Sequence, residues 1–223
     1  MQHLLRPTEI VASAASPVWI RTAAVSDLEG LSEHFENLSQ SSRHNRFMGA
    51  VSNVSKIAFD CLKRSWKSDH FTLVAEWRAQ GRDAIIGEAT YGFDREKGCG
   101  EFAISVADRW QHRGLGSALL GALQLRAVSL GHFELFGEAL KTNHEMTNLA
   151  RKAGFAFTRS LDWRAVRFDK RFRARSVGTT ARSAGPPLML AAHSATISPD
   201  PPNSLGKSFN LGSPSRICST VSA

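Results

Sequence analysis

The chain of 223 residues is 42% hydrophobic and carries a formal net charge of +8. That is room for one domain of ordinary size and a tail, and no apolar run nears the roughly 18 residues that a membrane helix needs. Cys61, Cys99 and Cys218 are too few and too scattered for a disulfide framework or a zinc pattern, so no metal and a reducing, cytoplasmic setting are expected.

Charge and proline divide the chain. From residue 171 onward Arg171, Arg173, Arg175, Arg182, Lys207 and Arg216 face a single acid, Asp200. Pro186, Pro187, Pro199, Pro201, Pro202 and Pro214 lie there too, and none falls between Val18 and Gly185. The expected organisation is a flexible leader over 1–16, a folded domain over 17–171 and a disordered Ser/Pro/Gly-rich basic tail over 172–223. So few bases spread over so long a tail make no strong polyanion footprint, and no specific nucleic acid is expected as a partner.

In chain order, 18–22 reads as a short strand. Ser26 and Glu29 stand in a capping-box pattern, followed by an apolar face of Leu28, Leu31, Phe35 and Leu38. A second helix fits 40–47, and a third follows Ser55 with Ile57, Cys61 and Leu62 inward. Phe71, Leu73, Ala75 and Trp77 alternate with Thr72, Val74 and Glu76, the period of a strand. Turns over 79–83 and 94–98 frame two further strands, 84–93 and 100–106, so a three-strand meander precedes the next helix. That helix shows Leu115, Ala118, Leu119, Ala122 and Leu123 at helical spacing and stops at Gly131, placed as a C′ glycine. A strand over 132–139 follows, then a helix capped by Asn143, with Met146, Leu149 and Ala150 inward and Gly154 at its end. One or two last strands fit 155–168, with a break near Leu161 and Asp162. The order predicts an α/β domain: a mixed central sheet with helices on both faces.

Between the third meander strand and its helix, Gln111, Gly114 and Gly116 form the pattern Gln-x-x-Gly-x-Gly. A helix start offers backbone N–H groups without helical partners, and its dipole favours anions. Glycines there let a phosphate approach the backbone. Leu119 excludes the dinucleotide fingerprint, and no Gly-Lys-Ser/Thr follows to make a Walker A loop. A tight turn before a core helix is the bland alternative.

This stretch resembles the pyrophosphate loop of the GNAT superfamily of N-acetyltransferases. The resemblance extends to the meander before the loop, to Asn143 at the later helix start, and to the ending Lys152-Ala-Gly-Phe155. The opening residues Ile20-Arg21, Asp27, Leu38-Ser39, Ser42 and Arg46-Phe47-Met48-Gly49, with the pair Asn143 and Met146, resemble a stand-alone bacterial Pat-like protein lysine acetyltransferase domain. It implies a GNAT-like, mostly antiparallel sheet and acetyl-CoA as co-substrate. Gln111, His112, Arg113, Gly114, Leu115, Gly116, Ser117 and Ala118 would cradle the pyrophosphate. The backbone of Ile104, Ser105 and Val106 would pair with the pantetheine arm, and Asn143 and Met146 would lie near the cofactor. Glu101 is the expected general base, with Glu88 the runner-up, and Asn143 is the second expected catalytic residue. A tyrosine acid is missing from its common place, where Ala150 stands, as in many Pat-like domains. The bland readings are a solvated strand-end carboxylate for Glu101, a helix cap alone for Asn143, and surface positions for His112 and Arg113. The expected activity is acetyl transfer to a primary amine, a protein lysine by the subgroup's implication. A small-molecule amine acceptor and a non-catalytic acyl-CoA-binding module are the alternatives, with the oligomeric state open.

Overall fold

The computed structural model describes residues 8–10, 18–65, 67–79 and 82–173. The tail expected over 172–223 therefore falls, beyond 173, outside the described residues. The described elements are β1 (Thr8–Ile10), β2 (Val18–Thr22), α1 (Leu28–Glu36), α2 (Gln40–Phe47), α3 (Val54–Arg64), β3 (His70–Ala79), β4 (Arg82–Asp94), β5 (Cys99–Val106), α4 (Leu115–Ser129), β6 (Glu134–Leu140), α5 (His144–Lys152), β7 (Ala156–Arg159) and β8 (Ala165–Arg171). The strands form one sheet in the order β1-β2-β3-β4-β5-β6-β8-β7. Every pairing is antiparallel except that of β5 with β6. The mixed, mostly antiparallel α/β sheet is the one expected. No described helix is long and apolar enough to cross a membrane.

Helices cover both faces. On one side Leu119, Leu120, Leu123 and Ala127 of α4 pack in a cluster with Leu73, Ile86, Ala89 and Phe102 of the sheet. On the other, Leu31, Phe35, Leu38, Phe47, Ala58 and Leu62 of α1–α3 and the segments joining them form a second cluster. The alternation read in 71–77 is therefore not inside against outside. Thr72 and Val74 are as buried as Phe71 and Leu73, because β3 is covered from both sides. Thr72 satisfies its hydroxyl beneath α3, where its Oγ1 accepts from Ser65 Oγ at 3.0 Å.

Four local expectations change. Ser26 does not cap α1. The chain first makes a 3-10 turn, Val25–Asp27, and the Asp27 carboxylate accepts from Ala24 N at 2.7 Å. Arg21 fixes that carboxylate through two bonds, at 2.6 and 2.8 Å, and reaches Glu76 Oε2 at 2.8 Å. Inside the expected leader, Thr8–Ile10 pairs with β2. β6 starts at Glu134 rather than 132, since His132 N donates instead to Ala127 O at the end of α4. The closing segment is two strands, and the domain runs one residue past its expected end: Phe172 N donates to Phe133 O at 2.8 Å.

What positions the site is the parallel pair. β5 and β6 pair only at Gly100–Leu135 and Glu101–Phe136, then part. β5 keeps its ladder with β4 as far as Val106, so its other edge from residue 102 onward faces a gap.

Candidate functional site

The gap opens into a cavity of about 440 Å³. β5 supplies one wall, from Glu101 through Ile104, Ser105 and Val106, and Glu138 and Ala139 of β6 supply the other. Gln111, His112, Gly114, Gly116 and Ser117 close one end, while Asn143, Met146 and Leu149 of α5 line a flank. Asn45 and Arg46 of α2 and the adjoining Met48 reach in from the opposite face of the sheet. Three expected residues do not line it. Leu115 is buried in the core and Ala118 packs against it. The Arg113 guanidinium sits 5.4 Å from the Trp110 ring on the exposed side of the loop. Any part these three take in the site is through the backbone.

The loop has the geometry of an anion cradle. His112 and Gly114 take left-handed backbone angles, φ 60° and 84°, which turn the chain sharply into α4. Gly114 is the N-cap residue, and Ala118 N makes the bond back to Gly114 O at 3.0 Å. The N–H groups of Leu115, Gly116 and Ser117 precede that bond and have no acceptor within the helix. Gly116 is informative in another way. A Cβ there would lie 3.4 Å from Leu149 Cδ2 and 4.0 Å from Val106 Cγ2, which is ordinary contact. Packing does not demand this glycine. Gln111 braces the strand end, its Nε2 donating to Val106 O at 3.0 Å and Ser42 Oγ at 3.2 Å. His112 Nε2 lies 3.6 Å from Glu145 Oε1 in an exposed pair that spans the cavity mouth to α5.

The two carboxylates differ in kind. Glu101 lines the cavity and stands opposite Gly92 of β4, so no β4 side chain covers it. Glu88 is fully buried, does not line the cavity, and takes Arg46 Nε at 2.6 Å. Its Oε1 also accepts from Ser105 Oγ at 2.8 Å. That spends the one hydroxyl proton of Ser105, so at the 2.9 Å contact with Ser105 Oγ it is His34 Nε2–H that donates. Burial pushes the His34 pKa down to about 4, and the ring is neutral at pH 7. Glu88 is thus tied into the core by Arg46 and Ser105, away from the cavity that Glu101 lines. Asn143 does cap α5, its Oδ1 accepting from Met146 N at 3.0 Å, while also lining the cavity. Ala150 is wholly buried where a tyrosine acid would stand. Tyr91 bonds His132 Nδ1 at 2.9 Å inside the core, and burial raises its pKa, so it is no proton donor to the cavity.

One structural device had no assigned role in the sequence reading. The Asp108 carboxylate accepts from Ser39 N at 2.9 Å, Ser39 Oγ at 2.7 Å and Ser42 Oγ at 2.7 Å. Burial works to raise its pKa, but the bonds from Ser42 and Ser39 hold it below the usual carboxylate range. The start of α2 is thus stapled to the loop that leads into α4. Ser39 and Ser42 were visible as part of the opening motif; their partner was not, since it lies more than sixty residues away.

A model of the acetyltransferase (GNAT) family matches residues 40–155, just over half of the chain and the whole stretch from α2 through the loop to the end of α5. The chain belongs to this family. It is 28% identical over 145 residues to the acetyltransferase PA5475 of Pseudomonas aeruginosa, covering 65% of this chain and 78% of that protein. The GNAT fold is shared with the GNAT domain of S. lividans PAT, with a TM-score of 0.64 at 24% identity over 74% of this chain and 97% of that one. It is shared also with yncA, a putative acetyltransferase from Salmonella typhimurium, with a TM-score of 0.57 at 18% identity over 71% and 96% of the two chains.

Proposed function

We propose that this GNAT protein is an acetyl-CoA-dependent N-acetyltransferase acting on a primary amine, with a protein lysine as the acceptor class that its opening motif favours. The parting of β5 and β6 beside the first turn of α4 carries the reading. A long, polar, phosphate-ended thioester suits that shape. The edge over 102–105, with Val106 O held by Gln111, offers backbone donors and acceptors to an amide-bearing arm. The cradle from Gln111 to Ala118 offers N–H groups to a pyrophosphate, and Gly116 leaves the space that a Cβ would fill. The solved yncA structure contains acetyl-CoA as its cofactor, and the shared fold supports the same ligand here.

The residues then divide the work. Backbone at Ile104, Ser105 and Val106 aligns the arm, so that the thioester lies toward Glu101. A lysine ammonium in water has a pKa of about 10.4 and must lose a proton before attack. Glu101 takes that proton, directly or through a water. The amine nitrogen bonds the thioester carbonyl carbon, the carbon–sulfur bond breaks, CoA leaves as its thiolate, and the new amide nitrogen gives up its second proton to water. Asn143 offers its amide N–H groups near the sulfur while its oxygen caps α5. Water returns a proton to the thiolate.

The test is an acceptor screen with acetyl-CoA, reading free thiol and acetyl adducts by mass spectrometry. Lysine-containing polypeptides are expected to turn over faster than small amines. Tight acetyl-CoA binding with no thiol release for any amine would instead mark a non-catalytic binding module.

A further inference from the structure

Arg46 is a buried cation whose side chain is 2% exposed, held on a fully buried carboxylate. Its Nε donates to Glu88 Oε1 at 2.6 Å and its Nη2 to Glu88 Oε2 at 3.4 Å. Nη2 also reaches Thr90 Oγ1 at 3.0 Å. The rings of Phe35 and Phe47 lie 5.8 and 5.1 Å from the guanidinium carbon. Such a pair stabilises little by itself once the cost of desolvating both ions is counted. Its orientation is the informative feature. On β4, residues 88, 90 and 92 point to one face, and they stand opposite Ser105, Ala103 and Glu101 of β5. The guanidinium therefore reaches from Glu88 to Thr90, along the row that ends at Glu101. Glu88 lies four residues from that end, roughly 13 Å along the strand, and Thr90 half as far. The positive end of the pair lies on the Thr90 side of Glu88, the side toward Glu101, and Arg46 and Glu101 line the same cavity.

We propose that Arg46 is a positioning residue for the transfer reaction: it turns the positive end of the buried Arg46–Glu88 pair toward Glu101 and keeps that carboxylate ionised as an acceptor binds. This rests on the reading of Glu101 as the base. Charged or titratable groups around Glu101 include Glu138 across the gap, with Arg167 of β8 opposite it, Asp169 of β8 beside Phe136, Lys97 in the β4–β5 turn, His34 behind the pair, and His112, Glu145 and Lys152 along the cavity. Glu138 repels a charge on Glu101, and Lys97 is 59% exposed and screened by solvent. His34 is neutral at pH 7. Arg167, partly exposed, stands directly opposite Glu138 and offsets it in part, whereas Arg46 is the fully buried cation on the row that leads to Glu101.

The experiment is the pH dependence of kcat for the full chain in five forms: wild type, Arg46→Lys, Arg46→Met with Glu88→Gln, Thr90→Val, and Glu101→Gln. The double variant removes both buried charges together and leaves none unpaired. Its acid limb is expected about one pH unit higher than wild type, with the high-pH plateau kept. Thr90→Val, which only removes one of the partners of Nη2, moves the limb the same way by less. Arg46→Lys, which keeps the charge, stays near wild type. Unmoved limbs in both the double variant and Thr90→Val overturn the proposal. So does a loss of plateau rate with the midpoint unchanged, which marks a purely structural role. If the double variant does not fold, Thr90→Val alone decides, and an unmoved limb there overturns it. Glu101→Gln separates the two readings. An acid limb that survives in Glu101→Gln removes the base assignment itself, whereas a limb that vanishes there but does not move in the charge variants removes only the role of Arg46.

Discussion

Glu101 and His34 are both ionisable groups near the cleft, the one bearing on rate and the other on stability. Glu101→Gln is expected to lower kcat by about 10² to 10⁴ while leaving acetyl-CoA affinity unchanged, since it removes proton transfer and not a binding contact. Raising the pH should restore part of the rate, because more of the amine is then already neutral. Steady-state kinetics with calorimetry check this, and full turnover at neutral pH would mean that the amine loses its proton to desolvation or bulk solvent. His34 bears on stability. Its folded pKa of about 4 lies below the ordinary 6.5, so the unfolded chain binds more protons between those values. Its contribution is complete above pH 6.5 and is lost as pH falls toward 4, amounting to about 2–3 kcal/mol at pH 4.5. Melting curves of wild type and His34→Gln from pH 7 to 4.5 should therefore converge as the pH drops. A constant difference would show that the ring is not held neutral. The position of Glu101 was legible because it needs only the strand before the loop. The fate of Glu88 was not, because burial beneath α2 and the pairing with Arg46 are long-range facts that no local pattern carries.

The element that ties the site together is α2. Its eight residues were readable from pattern alone, and its bounds agree with expectation. What it does was not, because both of its anchors are distant in sequence: Asp108 at its start and Glu88 near its end. The same limit explains the misplaced cap on α1. Ser26 and Glu29 satisfied a local rule, but Arg21 recruited Asp27, and a 3-10 turn formed first. Asp108→Ala is expected to free the start of α2 from the loop at a cost of about 1 kcal/mol, kept small by solvent screening. Acetyl-CoA should then bind roughly fivefold more weakly, because that ordering must be supplied on binding. Hydrogen exchange over 39–47 should rise in the free protein and recover with ligand. Unchanged exchange would show that α2 holds its place without the staple.

At the scale of the molecule, the expected βααα–βββ–α–β–α–β order implied a mixed sheet, and the central strands, the loop and α4 fall where periodicity put them. The parting of β5 from β6 was expected only through the family resemblance, since no residue pattern within either strand announces where a parallel ladder stops. Among the described residues, the two core clusters run from Val18 to Phe172, which packs against the first of them. A chain ending at Arg173 is therefore expected to keep its melting temperature and its transferase rate, and a drop of several degrees would show that the core needs more of the chain. The claim that everything else depends on is that the cleft between the two halves of the sheet holds acetyl-CoA by its loop. Gly116→Glu tests it cleanly. Its φ is not left-handed and a Cβ meets no clash, while a carboxylate in the first turn of α4 suits the helix dipole. The fold should be untouched, whereas a pyrophosphate would meet both a side chain and a negative charge. Calorimetric titration with acetyl-CoA should give single-site binding to wild type and at least about tenfold weaker binding to Gly116→Glu at an unchanged melting temperature. Equal affinity in the two proteins would contradict it.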